Sequence, residues 1–394
     1  MVEAVDIAAF RRAFEELYGK PARVFSAPGR VNLIGEHTDY NEGFVLPMAI
    51  DRRTFVASAR RDDARVHVRS LDLGDEATFS LDDKKTIRSR SWVDYVEGVC
   101  RVLQDAGNEI AGADLAISSE VPIGAGLSSS AALEISVGLA LLCLAECEVD
   151  LAQLALAGQR AEHIYAGTKC GIMDQLTVAF GQKNHALLID CRSFQITPIT
   201  LNIPDHAVVV CNTNVKHELA SSAYNERRLE CERAVALLRE KIPTIRALRD
   251  VTPSDLEKYE DLLPEPLFRR CRHVVSENER TLRAAEALSE GNTKRFGSLM
   301  LRSHRSLRDD YQVSCSELDV MVELAMTHEG VAGARMTGGG FGGCTVNLVR
   351  REVVKSFSQH VGHSYERKTA ITPTIYVVEA GDGVSEVTAA SIEE

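Results

Sequence analysis

The amino-acid sequence predicts an α+β fold in two domains. Strand-like and helix-like segments follow one another without the regular alternation of a doubly wound sheet. The 394 residues exceed what a single hydrophobic core usually organises. The pattern also breaks at Pro204, between Thr200 and His206, before restarting on the buried-looking run Ala207 to Asn212. We place the boundary there, giving an N-terminal domain of residues 1–205 and a C-terminal domain of residues 206–394.

The elements follow in order. Ala8 to Leu17 has the amphipathic spacing of a helix, and Arg23 to Ser26 is strand-like. Thr54 to Ser58 and Arg65 to Leu71 alternate as half-buried strands do. Leu81 to Ser91, dense in Asp, Lys and Arg, reads as a solvated loop. Leu115 to Ser118 is a strand running into a glycine–serine turn, and a helix starts near Ser130. Asp150 opens another helix that ends before Gly167, and Ala186 to Asp190 is a strand. Past the boundary, helices are expected at Ser222 to Lys241, Arg269 to Ser289, Thr293 to Asp309 and Ser316 to His328. A glycine-rich turn then precedes strand Cys344 to Val349, helix Val353 to His360 and strand Ile375 to Val378. There is no internal repeat, and the acidic tail after Gly381 is expected to be flexible.

Composition narrows the function classes. Apolar residues make up 45% and charged residues 26%, as in an ordinary globular protein. A formal charge of −12 argues against a nucleic-acid or anionic-membrane surface. An anionic substrate would therefore need a local cluster of cations or backbone amides. The ten cysteines form no CxxC pair, which fits scattered thiols in a reducing compartment. His360 and His363 have no third ligand nearby and read as surface histidines. The N-terminus is acidic and amphipathic, unlike a signal peptide. The longest apolar run, Ile135 to Ala145, is too short to span a bilayer, so a cytoplasmic location is expected.

Residues 28 to 40 read Pro-Gly-Arg-Val-Asn-Leu-Ile-Gly-Glu-His-Thr-Asp-Tyr. Arg30, Glu36, His37 and Asp39 bring a fixed cation, two carboxylates and an imidazole together, punctuated by Gly29 and Gly35. Such clustered donors and acceptors suit a polyhydroxylated ligand. A solvated polar turn is the plain alternative.

A second constellation runs from Val121 to Glu134. Gly124 and Gly126 let the backbone turn tightly, and Ser128, Ser129 and Ser130 deliver it into a helix. The free N–H groups and partial positive charge of a helix N-terminus stabilise a phosphate without any lysine. The loop is no Walker A motif, because no Gly-Lys-Ser/Thr follows, and the protein-kinase Asp-Phe-Gly and His-Arg-Asp are missing. Gly338 to Gly343 satisfies G-x-G-x-x-G, but a strand-like run follows where a dinucleotide fold needs a helix. It reads instead as a loop lying close over a bound ligand, or as a plain helix-to-strand turn.

Three further side chains stand out. Glu162 falls on the same helical face as Leu151, Ala155, Gly158 and Tyr165, and a carboxylate on such a stripe needs a partner. Magnesium bridging nucleotide phosphates and a buried arginine satisfy that need equally. Asp174 points away from the stripe of Ile172, Met173, Leu176 and Phe180, so periodicity alone favours a solvated aspartate. Tyr224 fits either a core or a ring packed on a sugar.

The three segments Pro28 to Tyr40, Pro122 to Ala132 and Thr337 to Gly343 resemble the three motifs of a small-molecule kinase superfamily. That superfamily contains galactokinase, homoserine kinase, mevalonate kinase and phosphomevalonate kinase. The first segment is similar to the signature of the galactokinases. Further matches at CGIMDQ (170–175), HxLASSxYNxRR (217–228) and SHxSLRDDYxVSCxELD (303–319) extend the resemblance over nearly the whole chain.

The resemblance implies an N-terminal domain like the second domain of a ribosomal S5 protein and a C-terminal ferredoxin-like domain, with the active site in the cleft. It implies sugar contacts at Glu36, His37, Thr38, Asp39, Gly171 and Tyr224, and a nucleotide loop of Gly124, Ala125, Gly126, Leu127, Ser128, Ser129 and Ser130. Ser130 and Glu162 would hold Mg2+, Asp174 would be the catalytic base and Arg30 the transition-state stabiliser. Ser70 and Trp92 resemble positions near the adenine, and Lys216 stands where some members carry arginine.

The activity so implied is ATP-dependent phosphorylation of galactose at its anomeric hydroxyl, by a monomer binding neither nucleic acid nor membrane. A kinase of N-acetylgalactosamine or arabinose is the nearest alternative. N-acetylgalactosamine kinases commonly carry Ile where Thr38 stands. A non-catalytic galactose and ATP sensor is another, but known sensors have a shortened serine–alanine stretch where Gly126 to Ala132 is intact.

Overall fold

The structure, a computed structural model, describes residues 5–83, 91–215 and 220–388. The expected loop from Leu81 to Ser91 therefore falls mostly outside the described residues, as does Lys216.

Helix α1 (Ile7–Tyr18) is opened by Asp6, whose carboxylate accepts from the Ala8 and Ala9 amides, and closed by left-handed Gly19. Its Phe10 and Phe14 pack with Val24, Phe55 and Ala57. Strands β1 (Arg23–Asn32), β2 (Phe44–Val45), β3 (Pro47–Arg60), β4 (Arg65–Ser70) and β5 (Asp75–Ser80) follow. β1 runs on past Ser26 through Pro28 and Arg30, so the polar signature begins inside a strand, at a register shift against β3.

Next come α2 (Val93–Asp105), β6 (Ala113–Ser119), α3 (Ser129–Leu144), α4 (Leu151–Ala161), α5 (Met173–Phe180), β7 (His185–Asp190) and β8 (Gln195–Thr200). α2 has no counterpart among the expected elements. Its valines and Gly98 weaken helix propensity, yet Val96, Val99, Cys100 and Leu103 bury one face. β8 is an edge strand, which is why it tolerates Pro198.

The remainder comprises β9 (His206–Asn212), α6 (Ala220–Arg239), α7 (Pro253–Lys258), α8 (Glu265–Ser289), α9 (Thr293–Ser306), α10 (Ser316–Thr327), β10 (Val331–Thr337), β11 (Cys344–Arg350), α11 (Val354–Thr369), β12 (Thr374–Val378) and β13 (Ser385–Glu386). β10 escapes a period-two reading because Gly333 and buried Arg335 interrupt its apolar pattern.

A six-stranded sheet in the order β13-β1-β3-β6-β4-β5 and a three-stranded sheet β2-β7-β8 belong to the N-terminal half. The C-terminal half contains the four-stranded sheet β10-β11-β9-β12. This is the expected α+β class. One apolar cluster joins the halves, with Ile34 and Leu142 in the same core as Val208, Leu299 and Val346. Among the described residues no helix is long and apolar enough to cross a membrane.

The tail after Gly381 departs from its expected flexibility as far as it is described. β13 pairs with β1 (Phe25 opposite Glu386), Arg23 forms a two-bond fork to Glu386, and the Val384 amide donates to Val178 at 2.9 Å. The edge of β1 has unpaired backbone groups, and the returning chain satisfies them.

Candidate active site

A cavity of about 460 Å³ opens where the two halves meet. Its wall includes Arg30, Glu36, His37 and Asp39 of the signature, Gly124, Gly126, Ser128, Ser129 and Ser130 of the second loop, and Gly338 and Gly339. Glu162, Gly171, Asp174 and Tyr224 complete that wall, and Ser70 and Trp92 line it as well. Three expected site residues keep their side chains out of it. Ala125 and Leu127 are in the apolar core, and the Thr38 hydroxyl sits 2.8 and 2.7 Å from the carbonyls of Gly35 and Phe44. Thr38 thus staples the loop together, and only backbone atoms of Ala125 and Leu127 are left for a ligand.

Asp174 is no solvated aspartate. Arg30 forks onto it, Nε to Oδ1 at 2.8 Å and Nη2 to Oδ2 at 2.7 Å, while Nη1 donates to the Gly126 carbonyl at 2.6 Å. The Ser128 hydroxyl donates to Oδ2 at 2.5 Å. Ser128 is left-handed (φ 58°) and its side chain does not cap α3, so the first amides of that helix are unclaimed by it. The geometry ties β1, the turn before α3 and α5 to one carboxylate.

Asp39 lies beside Gly171, where any Cβ would fall 1.9 Å from its Oδ2. Burial first, and the Asp174 charge second, push the Asp39 carboxyl up to about 6. His37 is buried between Tyr40, whose hydroxyl is 2.8 Å from Nδ1, and the Gly339 carbonyl, 3.2 Å from Nε2. A carbonyl only accepts, so Nε2 carries the proton and Nδ1 accepts from Tyr40. Desolvation holds this imidazole down at about 3, hence neutral. The Tyr224 ring lies 5.4 Å from that of His37.

Glu36 is engaged more deeply than a sugar contact requires. It accepts from Arg335 Nη2 at 2.8 Å, the Gly338 amide at 2.7 Å and Asn32. Arg335, completely buried, is the residue the sequence reading missed. An arginine at an inward position of a strand was the available signal.

Ser130 and Glu162 both line the cavity. α4 passes into a π turn at Glu162–Ala166, a local irregularity frequent at functional sites. Burial, then the Asp174 charge, raises Glu162 to about 7. Among the described residues its partners are Gln175 and Cys170, not the arginine that a structural salt bridge would supply. A buried carboxylate and a serine that line one cavity offer oxygen donors of the kind a magnesium ion takes. The Trp92 indole donates to Asp75 at 2.9 Å.

Family models match three parts of the chain. The galactokinase galactose-binding signature covers residues 12–60, the GHMP kinases N terminal domain residues 94–182, and the GHMP kinases C terminal domain residues 284–366. A galactokinase of Roseiflexus sp. (strain RS-1) is 50% identical, with 97% of this chain and 98% of the relative covered. The chain belongs to the galactokinase family. The human galactokinase is 44% identical over 96% of this chain and 95% of its own length. The crystal structure of Lactococcus lactis galactokinase complexed with galactose superposes with a TM-score of 0.94 at 38% identity, covering 97% of this chain and all of that one. A mevalonate kinase at 21% identity and TM-score 0.62 shares the fold. This galactokinase-family chain is accordingly an ATP-dependent sugar kinase.

Proposed function

We propose that this galactokinase-family enzyme transfers the γ-phosphoryl group of ATP to the anomeric hydroxyl of α-D-galactose, giving galactose 1-phosphate and ADP. The Arg30–Asp174 fork carries the reading, because it stands between the signature loop and the phosphate loop. The anomeric oxygen forms a bond to the γ-phosphorus as the bond to the bridging β-oxygen breaks. Asp174 takes the hydroxyl proton. Both of its oxygens lie against the Arg30 guanidinium, and Oδ2 also accepts from Ser128.

Asp39 accepts from sugar hydroxyls, Tyr224 packs against the ring, and His37 and Glu36 hold the loop that presents them. Arg30 neutralises charge on the transferred group, and the N-terminus of α3 stabilises the remaining phosphates. Ser130 and Glu162 would hold Mg2+, which supplies further charge neutralisation when bound. Ser70 and Trp92 are assigned to the adenine end. An ADP-release assay across a sugar panel tests the reading. Galactose should be the preferred acceptor, and absence of ADP release with galactose in a folded sample would refute it.

A further inference from the structure

Gln175 is fully buried on α5, and its amide nitrogen lies 3.0 Å from Glu162 Oε2 and 3.0 Å from Glu134 Oε2. An amide has two N–H donors, so each carboxylate receives one. Glu134 projects from α3, one turn beyond Ser130, with no solvent exposure, and its Oε1 has no partner among the described residues. Gly158 of α4 closes the other side. A Cβ there would come within 3.2 Å of Gln175 Cγ and 3.3 Å of Glu134 Oε2. Three helices thus enclose the Gln175 side chain, which is held through its amide nitrogen.

The consequence falls on Glu162. Its Oε2 also accepts from Cys170 Sγ at 3.5 Å, so both protein donors share one oxygen. Oε1 takes no hydrogen bond from the described residues, in a residue that lines the same cavity as Ser130. A buried glutamate costs free energy unless its hydrogen bonds are made. Gln175 is itself held from behind by Glu134, which no step of the phosphoryl transfer uses.

We propose that Gln175, anchored by Glu134, is a positioning residue that fixes Glu162 with one oxygen turned to the magnesium site. The proposal rests on the reading of Glu162 as a magnesium ligand. Holding a ligand's orientation before the ion arrives removes the cost of ordering it at binding. Neither Gln175 nor Glu134 lines the cavity, so their effect should be confined to the metal.

Calorimetric titration of ADP over a series of magnesium concentrations reads this without turnover. In Gln175→Met, which keeps length but loses the amide, the magnesium needed to half-saturate the gain in ADP affinity should rise by about 10–100-fold. ADP affinity without magnesium, and galactose affinity, should be unchanged. Glu134→Leu should move the same way, and the conservative Glu134→Gln, which keeps an oxygen acceptor, should rescue most of the loss. Gln175→Asn retains the amide but draws it back by one methylene, and gives the same readout should the Met variant fail to fold. Glu162→Gln serves as the reference. Normal magnesium dependence in folded Gln175 variants, with Glu162→Gln impaired, would overturn the positioning role alone. Normal dependence in all of them would also remove the ligand reading on which it rests.

Discussion

Arg335 on strand β10 donates to Glu36 of the signature loop at 2.8 Å, with the arginine fully buried and the glutamate nearly so. Arg335 Nη1 also reaches the Asn32 carbonyl at 3.1 Å, and Glu36 Oε1 accepts from the Gly338 amide. One ion pair therefore fastens the end of β1 to the start of the glycine-rich loop. Burial raises the Glu36 carboxyl, and Arg335 is the main force opposing that rise.

Removing the cation should expose how much depends on it. Arg335→Met leaves Glu36 buried without a counter-ion, a change that typically costs about 3–5 kcal/mol. Urea denaturation should report that loss. Adding Glu36→Gln to Arg335→Met should recover part of it, because the stranded charge is then gone. An unaltered unfolding midpoint in Arg335→Met would mean that the pair contributes nothing to joining the halves.

The α+β class, most helices and the location of the signature were legible because they rest on local pattern. The turn into α3 was legible through its glycines and serines. Asp174 was not, since its helical face points away from the apolar stripe and its partner Arg30 lies 144 residues earlier. Glu162 was half-legible: periodicity marked it as buried but left its partner open, and the structure supplies Gln175. Arg335 was missed because a period-two reading treats a charged residue as outward-facing. Its partner comes from the other half of the chain. The ordered tail escaped for a similar reason, because β13 is polar and earns its place only by pairing with β1.

The pH dependence of sugar binding should follow Asp39. Its folded value, about 6, is above the ordinary 3.8. For stability the sign is that of a raised carboxyl: its contribution is greatest below about pH 4 and is lost as pH rises through about 6. If Asp39 accepts from galactose in its ionised form, affinity for the free enzyme should be flat above that value. It should weaken below it, approaching about tenfold per pH unit for one linked proton. Calorimetry without nucleotide or metal should show this bend, and Asp39→Asn should bind weakly without it. The same bend in the variant would assign the proton to another group.

Gly171 should be intolerant of any side chain for a reason confined to the sugar. Gly171→Ala places a Cβ where Asp39 Oδ2 now sits, so the carboxylate must swing away. Galactose binding should lose about 1–3 kcal/mol, the range for a hydrogen-bonding position left unmet. ATP affinity, measured separately, should hold. Equal losses for both ligands would point to disorder of the whole cavity wall.

Base catalysis and charge stabilisation can be separated at Asp174. Asp174→Asn keeps the size of the side chain but cannot take the hydroxyl proton, so turnover should fall by roughly 10²–10⁴-fold. Galactose and ATP should still raise the melting temperature, because binding to the folded state stabilises it by mass action. Arg30→Lys should lose most activity too. An ammonium cannot reproduce the fork that spans both Asp174 oxygens while also reaching the Gly126 carbonyl. The two residues share one hydrogen-bonded unit, so the double variant should lose less than the product of the single losses. Independent, multiplicative losses would mean that Arg30 acts on the phosphoryl group without help from its hold on Asp174. Near-normal turnover in a folded Asp174→Asn protein would remove the proton-accepting role and leave alignment and charge as the whole of the mechanism.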